Sequence, residues 1–88
     1  MKEYSYIIRR VTPRAMKVLQ KHGMRIGENG NITDLLLKIS VDEQACREVC
    51  AVIFEDDFSR LNFEEFDLEK ISEGVHRFLF AYLNPTLN

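Results

Sequence analysis

The stretch Phe66-Asp67-Leu68-Glu69-Lys70-Ile71-Ser72-Glu73-Gly74-Val75-His76-Arg77-Phe78-Leu79-Phe80-Ala81-Tyr82-Leu83-Asn84-Pro85 decides the fold. Asp67 stands at an N-cap position, where a short carboxylate accepts from an unpaired amide of the first helical turn. Phe66 before it and Ile71 after it occupy the two hydrophobic-staple positions. Glu69 suits the positive end of the helix dipole. Leu68, Ile71, Val75, Phe78, Leu79 and Tyr82 follow one face, and Asn84-Pro85 stops the run. This reads as an amphipathic helix over about 68–84.

Three more helices can be read towards the N-terminus. Ser40 and Glu43 form a capping box for a helix over about 41–54, with Ala45, Cys46, Val49, Cys50 and Ile53 as its apolar stripe. Asn31 or Thr33 is the expected cap of a short, very apolar helix over about 33–39. Gly27-Glu28-Asn29-Gly30-Asn31 reads as a turn from its Gly and Asn content. Thr12 as N-cap, Pro13 at the first helical position and the pair Val11 and Met16 predict a helix over about 13–22, with His22 on its apolar face and Gly23 as its left-handed cap. Residues 3–10 are rich in Tyr and Ile and read as a short strand. A lone strand is not stable, so it needs a pairing partner. Met24–Ile26 is the internal candidate, and another copy of the chain is the alternative. Between the last two helices, Glu55 to Glu65 is acidic, but Phe58, Leu61 and Phe63 should pin it to the body. The expected fold is thus mainly α, a single domain over 1–88 with three to four helices and a short N-terminal β segment.

The composition fits such a domain, with 45% hydrophobic and 30% charged residues, 4 Gly and 2 Pro. That argues against disorder and against a fibrous protein. A chain of 88 residues buries only about 60–65% of its unfolded surface, so its core is thin and a partner or self-association would help it. No apolar run approaches the roughly 18–20 residues that span a bilayer, and the start of the chain lacks the apolar core of a signal peptide. A cytoplasmic protein is expected. Cys46 and Cys50 share one helical face, oriented poorly for a disulfide, which favours free thiols in a reducing compartment.

The net charge of −2 conceals a split. Residues 1–40 carry +5 and residues 41–88 carry −7. A dipolar chain can close on itself, or its basic part can meet the acidic part of a neighbour.

No catalytic constellation emerges. Cys46 and Cys50 with His22 or His76 lack the paired ligands on turns of a zinc site, and core cysteine is the better reading. Nothing in the sequence points to a lowered thiol pKa. Glu55-Asp56-Asp57 and Glu64-Glu65-Asp67 lack the alternating ligands and central Gly of a calcium loop. They read as solvated surface or as a docking face for a basic partner. No metal or cofactor is expected. Arg9, Arg10, Arg14, Lys17, Lys21 and Arg25 concentrate positive charge near the N-terminus, and Arg14, Lys17 and Lys21 share a helix face suited to phosphates. The acidic pI of 5.6 and the lack of a recognition-helix motif weigh against nucleic acid, and pairing with the acidic half explains the same residues. Phe80, Leu83 and Leu87 lie off the main stripe of the last helix. That second apolar face is either buried internally or offered to a partner.

The order of features resembles a known family. Ile8-Arg9-Arg10-Val11-Thr12-Pro13-Arg14-Ala15 leads into a helix ending at Lys21-His22-Gly23, and the chain closes with Phe63-Glu64-Glu65-Phe66-Asp67-Leu68 running into the final helix and its Phe78-Leu79 pair. This is similar to the tail assembly chaperones of long-tailed bacteriophages and prophages. Those proteins often begin with an "I-R-K-L-T-x-R-D" style stretch and end with an acidic "F-x-D-F-D-L" type lead, although Ala15 stands here where the pattern favours Asp. The resemblance implies a non-enzymatic, helical, oligomer-forming protein that coats the tape-measure protein and helps recruit tail-tube subunits. Phe78, Phe80, Tyr82 and Leu83 would make the apolar contact, and Arg9, Arg10 and Arg14 would match the acidic 55–69 region of a neighbour. A small nucleic-acid-binding regulator and a structural prophage protein are the alternatives.

Overall fold

A computed structural model describes residues 3–25 and 32–84. The turn at 27–31, Asn31 as a cap, Ile26, the stop at Pro85 and the far-side Leu87 fall outside them. The chain is mainly helical. Helix α1 spans Pro13–Lys21, α2 Thr33–Val41, α3 Glu43–Ile53 and α4 Leu68–Leu83, with a single 3-10 turn at Phe63–Glu65.

Helix α3 is the hub, packing on α1, α2 and α4. Its predicted stripe is fully inside, since Ala45, Cys46, Val49, Cys50 and Ile53 all have no exposed surface. The start of α3 differs from the expected capping box. Asp42, not Ser40, is the N-cap, and its carboxylate accepts from the Ala45 amide at 3.1 Å. Ser40 lies within α2, where its hydroxyl donates to the Leu37 carbonyl at 2.7 Å. Both residues are competent caps, and the charged one takes the role. Helix α2 begins after Ile32 with no side-chain cap hydrogen bond, and Thr33, one of the expected caps, is instead the first helical residue. Buried Ile32, Leu35 and Ile39 hold the helix in its place.

The other two helices start as their sequences require. The Thr12 hydroxyl accepts from the Ala15 amide at 3.2 Å, and Asp67 accepts from the Lys70 amide at 3.1 Å. Gly23 ends α1 with φ at 114°, a conformation L side chains rarely adopt. A side chain there would also press on the backbone of Asp34 and Leu35. The α4 stripe is buried in its middle only. Ile71, Val75 and Phe78 have no exposed surface, whereas Leu68 and Tyr82, expected on the core face, are exposed.

Residues 3–10 are extended, yet no regular strand forms among the described residues. A single antiparallel bridge joins Ile8 to Phe54. The Arg9 amide donates to the Ile53 carbonyl at 2.7 Å, and the Glu55 amide donates to the Ile7 carbonyl at 2.9 Å. The segment thus pairs with the chain leaving α3 rather than with Met24–Ile26. Aromatic packing fixes it there. Tyr4 stacks on Phe58 at 5.3 Å, while Tyr6 meets Phe54 edge-on at 5.2 Å and Phe58 at 5.0 Å. Phe58 continues to Phe66 at 5.8 Å, which brings the acidic loop and the start of α4 into the same cluster. Offset and edge-to-face pairs at these separations add to the energy of burial.

Arg47 closes the loop from the α3 side. Its terminal nitrogens donate to the carbonyls of Phe58, Ser59 and Leu61, the last at 2.8 Å. Its guanidinium also lies 5.4 Å from the Phe66 ring centre. This one side chain satisfies three loop carbonyls that no ladder reaches.

Candidate functional site

The outward face of the last two turns of α4 is apolar. Phe80 and Leu83, three residues apart and therefore neighbours on the helix surface, are 59% and 60% exposed. Tyr82 points the other way, towards α1. It walls an open hollow of about 480 Å³ together with Val11, Thr12, Pro13, Met16, Lys17 and Gln20. Phe78, expected in the contact set, belongs to the core instead. It has no exposed surface, because its register coincides with that of Ile71 and Val75. The exposed apolar set at this end is Phe80, Tyr82 and Leu83.

Arg9, Arg10 and Arg14 come together at a different place. With Thr12, Ala51 and Val52 they line a second hollow of about 320 Å³ between the N-terminal segment, the start of α1 and the end of α3. The Arg9 Nε donates to the Phe54 carbonyl at 2.6 Å, which orients its guanidinium. Among the described residues, neither Arg10 nor Arg14 has a carboxylate within ion-pairing distance. Between the basic and acidic halves, Lys21 pairs with Glu48 at 3.3 Å.

The apolar-face position expected for His22 holds, but its partner carries no signal in the sequence. His22 is the one buried polar side chain among the described residues. One ring nitrogen contacts Glu48 Oε1 at 2.8 Å, and Nδ1 has no partner. Hydrogen bonds from His22, Gln44 and Lys21 pull the Glu48 carboxyl down to about 2. His22 is held by a carboxylate and by no hydroxyl or thiol, so the pair ties α1 to α3 rather than activating a nucleophile. Cys46 and Cys50 are free and buried; their mutual hydrogen bond draws the Cys46 thiol down and, with burial, pushes the Cys50 thiol well above its usual range. Such a thiol is a poor nucleophile. No group of three or more His, Cys, Asp or Glu suited to a metal ion occurs among the described residues.

Two further exposed apolar side chains, Leu37 and Val41, lie four apart on α2. Their only signal in the sequence is that Leu35-Leu36-Leu37 is apolar all round. No described helix is long and apolar enough to cross a membrane. No protein-family model matches the chain, and neither a curated protein nor a solved structure matches it.

Proposed function

We propose that this chain is a non-enzymatic chaperone that holds an apolar helical segment of a client protein, in the manner of the phage tail assembly chaperones it resembles. The observation that carries this reading is the α4 end, where Phe80 and Leu83 stand in solvent and Tyr82, on the other side of the helix, walls a hollow with Val11 and Met16. An amphipathic helix places apolar residues at i, i+3, i+4 and i+7, which suits a stripe and hollow of this kind. On the resemblance, the client is a tape-measure or tail-tube protein and the setting is the host cytoplasm.

Co-expression with the tape-measure protein of the same gene cluster tests it. The client should co-purify and stay soluble with the wild-type chain. Phe80→Ser and Leu83→Ser should lose the client while the fold is kept. A client that neither co-purifies nor loses solubility when this chain is omitted sinks the proposal.

The hollow lined by Arg9, Arg10 and Arg14 favours a second reading, a nucleic-acid-binding regulator, since guanidinium groups fork onto phosphate oxygens. That reading requires duplex binding that weakens steeply with salt. Absence of a gel shift at low salt removes it. A structural prophage protein would instead remain in the mature particle.

A further inference from the structure

Hydrogen bonding along residues 5–9 is one-sided. Ser5, Ile7 and Arg9 direct their backbone groups at the chain leaving α3, through the Ser5 amide to Asp56 Oδ2 at 2.9 Å, the Ile7 carbonyl and the Arg9 amide. In an extended chain alternate residues point to opposite edges. The N–H and C=O groups of Tyr6 and Ile8 therefore face away, and none of the four has a partner among the described residues. Beside the segment lies a groove of about 480 Å³, lined by all of residues 4–8 on one side and by Lys70, Glu73, Gly74 and Arg77 of α4 on the other.

We propose that residues 4–10 pair antiparallel, about a two-fold axis, with the same residues of a second copy of this chain. This surface is separate from Phe80 and Leu83, so the proposal does not depend on the client reading. Three features favour a second copy. First, an unpaired edge is a template for strand addition, and Tyr4-Ser5-Tyr6-Ile7-Ile8 has the β-branched and aromatic content that strands favour. Second, Ile7 is 61% exposed in the middle of the segment. The register that sets Tyr6 against the second Ile8, with each pair exchanging two hydrogen bonds, sets Ile7 against its own copy on the axis and covers both. Third, like charges stay apart only when the strands run in opposite directions. Antiparallel pairing places Arg9 and Arg10 opposite Ser5 and Tyr4, whereas parallel pairing would set arginine beside arginine. The α4 wall carries both signs, so two-fold mates can face Glu73 with Arg77.

Sedimentation and hydrogen exchange test this on the intact chain. Dimerisation should rise with concentration, and the Tyr6 and Ile8 amides should gain protection together with the dimer. Ile7→Lys changes an exposed side chain and should leave the helical circular dichroism intact, yet weaken the dimer at least tenfold. Ile7→Cys should form an intermolecular disulfide readily, because a non-hydrogen-bonded pair on the axis brings the two β-carbons to about 4.5–5.5 Å while the native thiols stay buried. A chain that stays monomeric to about 1 mM, the Kd of a very weak specific contact, overturns the proposal. So does a dimer that Ile7→Lys leaves unchanged, or protection of Tyr6 and Ile8 that appears only when an extended peptide from another protein is added.

Discussion

Gly74 offers the sharpest test of the packing. It lies in the middle of a sixteen-residue helix, where replacing Gly by Ala ordinarily stabilises by about 1 kcal/mol. Here a β-carbon would stand 2.4 Å from two ring carbons of Phe54. Carbon atoms pack best at about 3.5–4.0 Å, so the overlap exceeds about 1 Å at two atoms. The ring cannot retreat, since Phe54 is fully buried and Tyr6 and Phe58 pack edge-on against it at 5.2 and 5.7 Å. Overpacking of this size costs typically 1–3 kcal/mol and occasionally more, so the upper end is expected, about 3 kcal/mol. Subtracting the helix gain leaves Gly74→Ala destabilised by about 2 kcal/mol, or about 8–16 °C in Tm for a domain of this size. Urea unfolding followed by helical circular dichroism measures it, provided the slope m is unchanged. Combining the change with Phe54→Leu should recover part of the loss, because the two sites share one contact. A stabilised Gly74→Ala variant, or strict additivity with Phe54→Leu, would refute the close approach of α4 to the Phe54 ring.

Other elements give smaller, independent outcomes. Asp67→Ala and Thr12→Ala should each cost about 1 kcal/mol in the same urea assay, whereas Ser40→Ala should cost little because Asp42 caps α3. Arg47→Met should cost about 2 kcal/mol and raise amide exchange in the 58–61 loop, since three carbonyls lose a charged donor. Glu48 has its folded carboxyl pKa lowered to about 2 from 4.5, so its contribution is complete above pH about 4.5 and is lost as the pH falls towards 2. The urea midpoint of the wild type should therefore fall more steeply across that window than that of Glu48→Gln.

What could be read in advance follows the range of each interaction. Helices α1 and α4 carry their signals within a few residues, in Thr12-Pro13 and in Phe66-Asp67 with Ile71, and both begin where those residues require. The start of α3 was harder to read because Ser40 and Asp42 are both good caps two residues apart. The pairing of residues 7–9 with 53–55 joins positions more than forty apart, and no local pattern encodes it. Tyr4 and Tyr6 alternate as a strand would, but the aromatic partners that hold them belong to the far half of the chain. The exposed apolar face of α4 was legible in part. The off-stripe position of Phe80 and Leu83 marked an apolar face, and both stand in solvent. Phe78 was assigned to the core stripe and to the contact set at once, and burial resolves it to the core. The exposure of Ile7 and Val41 had no signal and that of Leu37 only the all-round apolar run 35–37, because an apolar side chain on a short element can face either way.

The size of the exposed α4 face limits what one copy of the chain can do. Complete burial of a Phe or Leu side chain is worth about 1.5–3 kcal/mol, and somewhat over half of each of Phe80 and Leu83 remains to be covered. With a smaller part of Tyr82, the gain available to a client is about 3–4 kcal/mol before any ordering cost. A Kd of 1 mM already requires about 4.1 kcal/mol, so a single copy cannot retain a client. A chaperone built on this face must act as several linked copies, for which avidity can raise affinity by about 10²-fold or more. Pairing through residues 4–10 would supply the first such link. The two proposals then separate cleanly. Ile7→Lys should leave the weak single-site contact and remove the avidity, whereas Phe80→Ser should remove the contact and leave the dimer. A client bound equally well by wild-type chain and the Ile7→Lys monomer would break the link between the two surfaces.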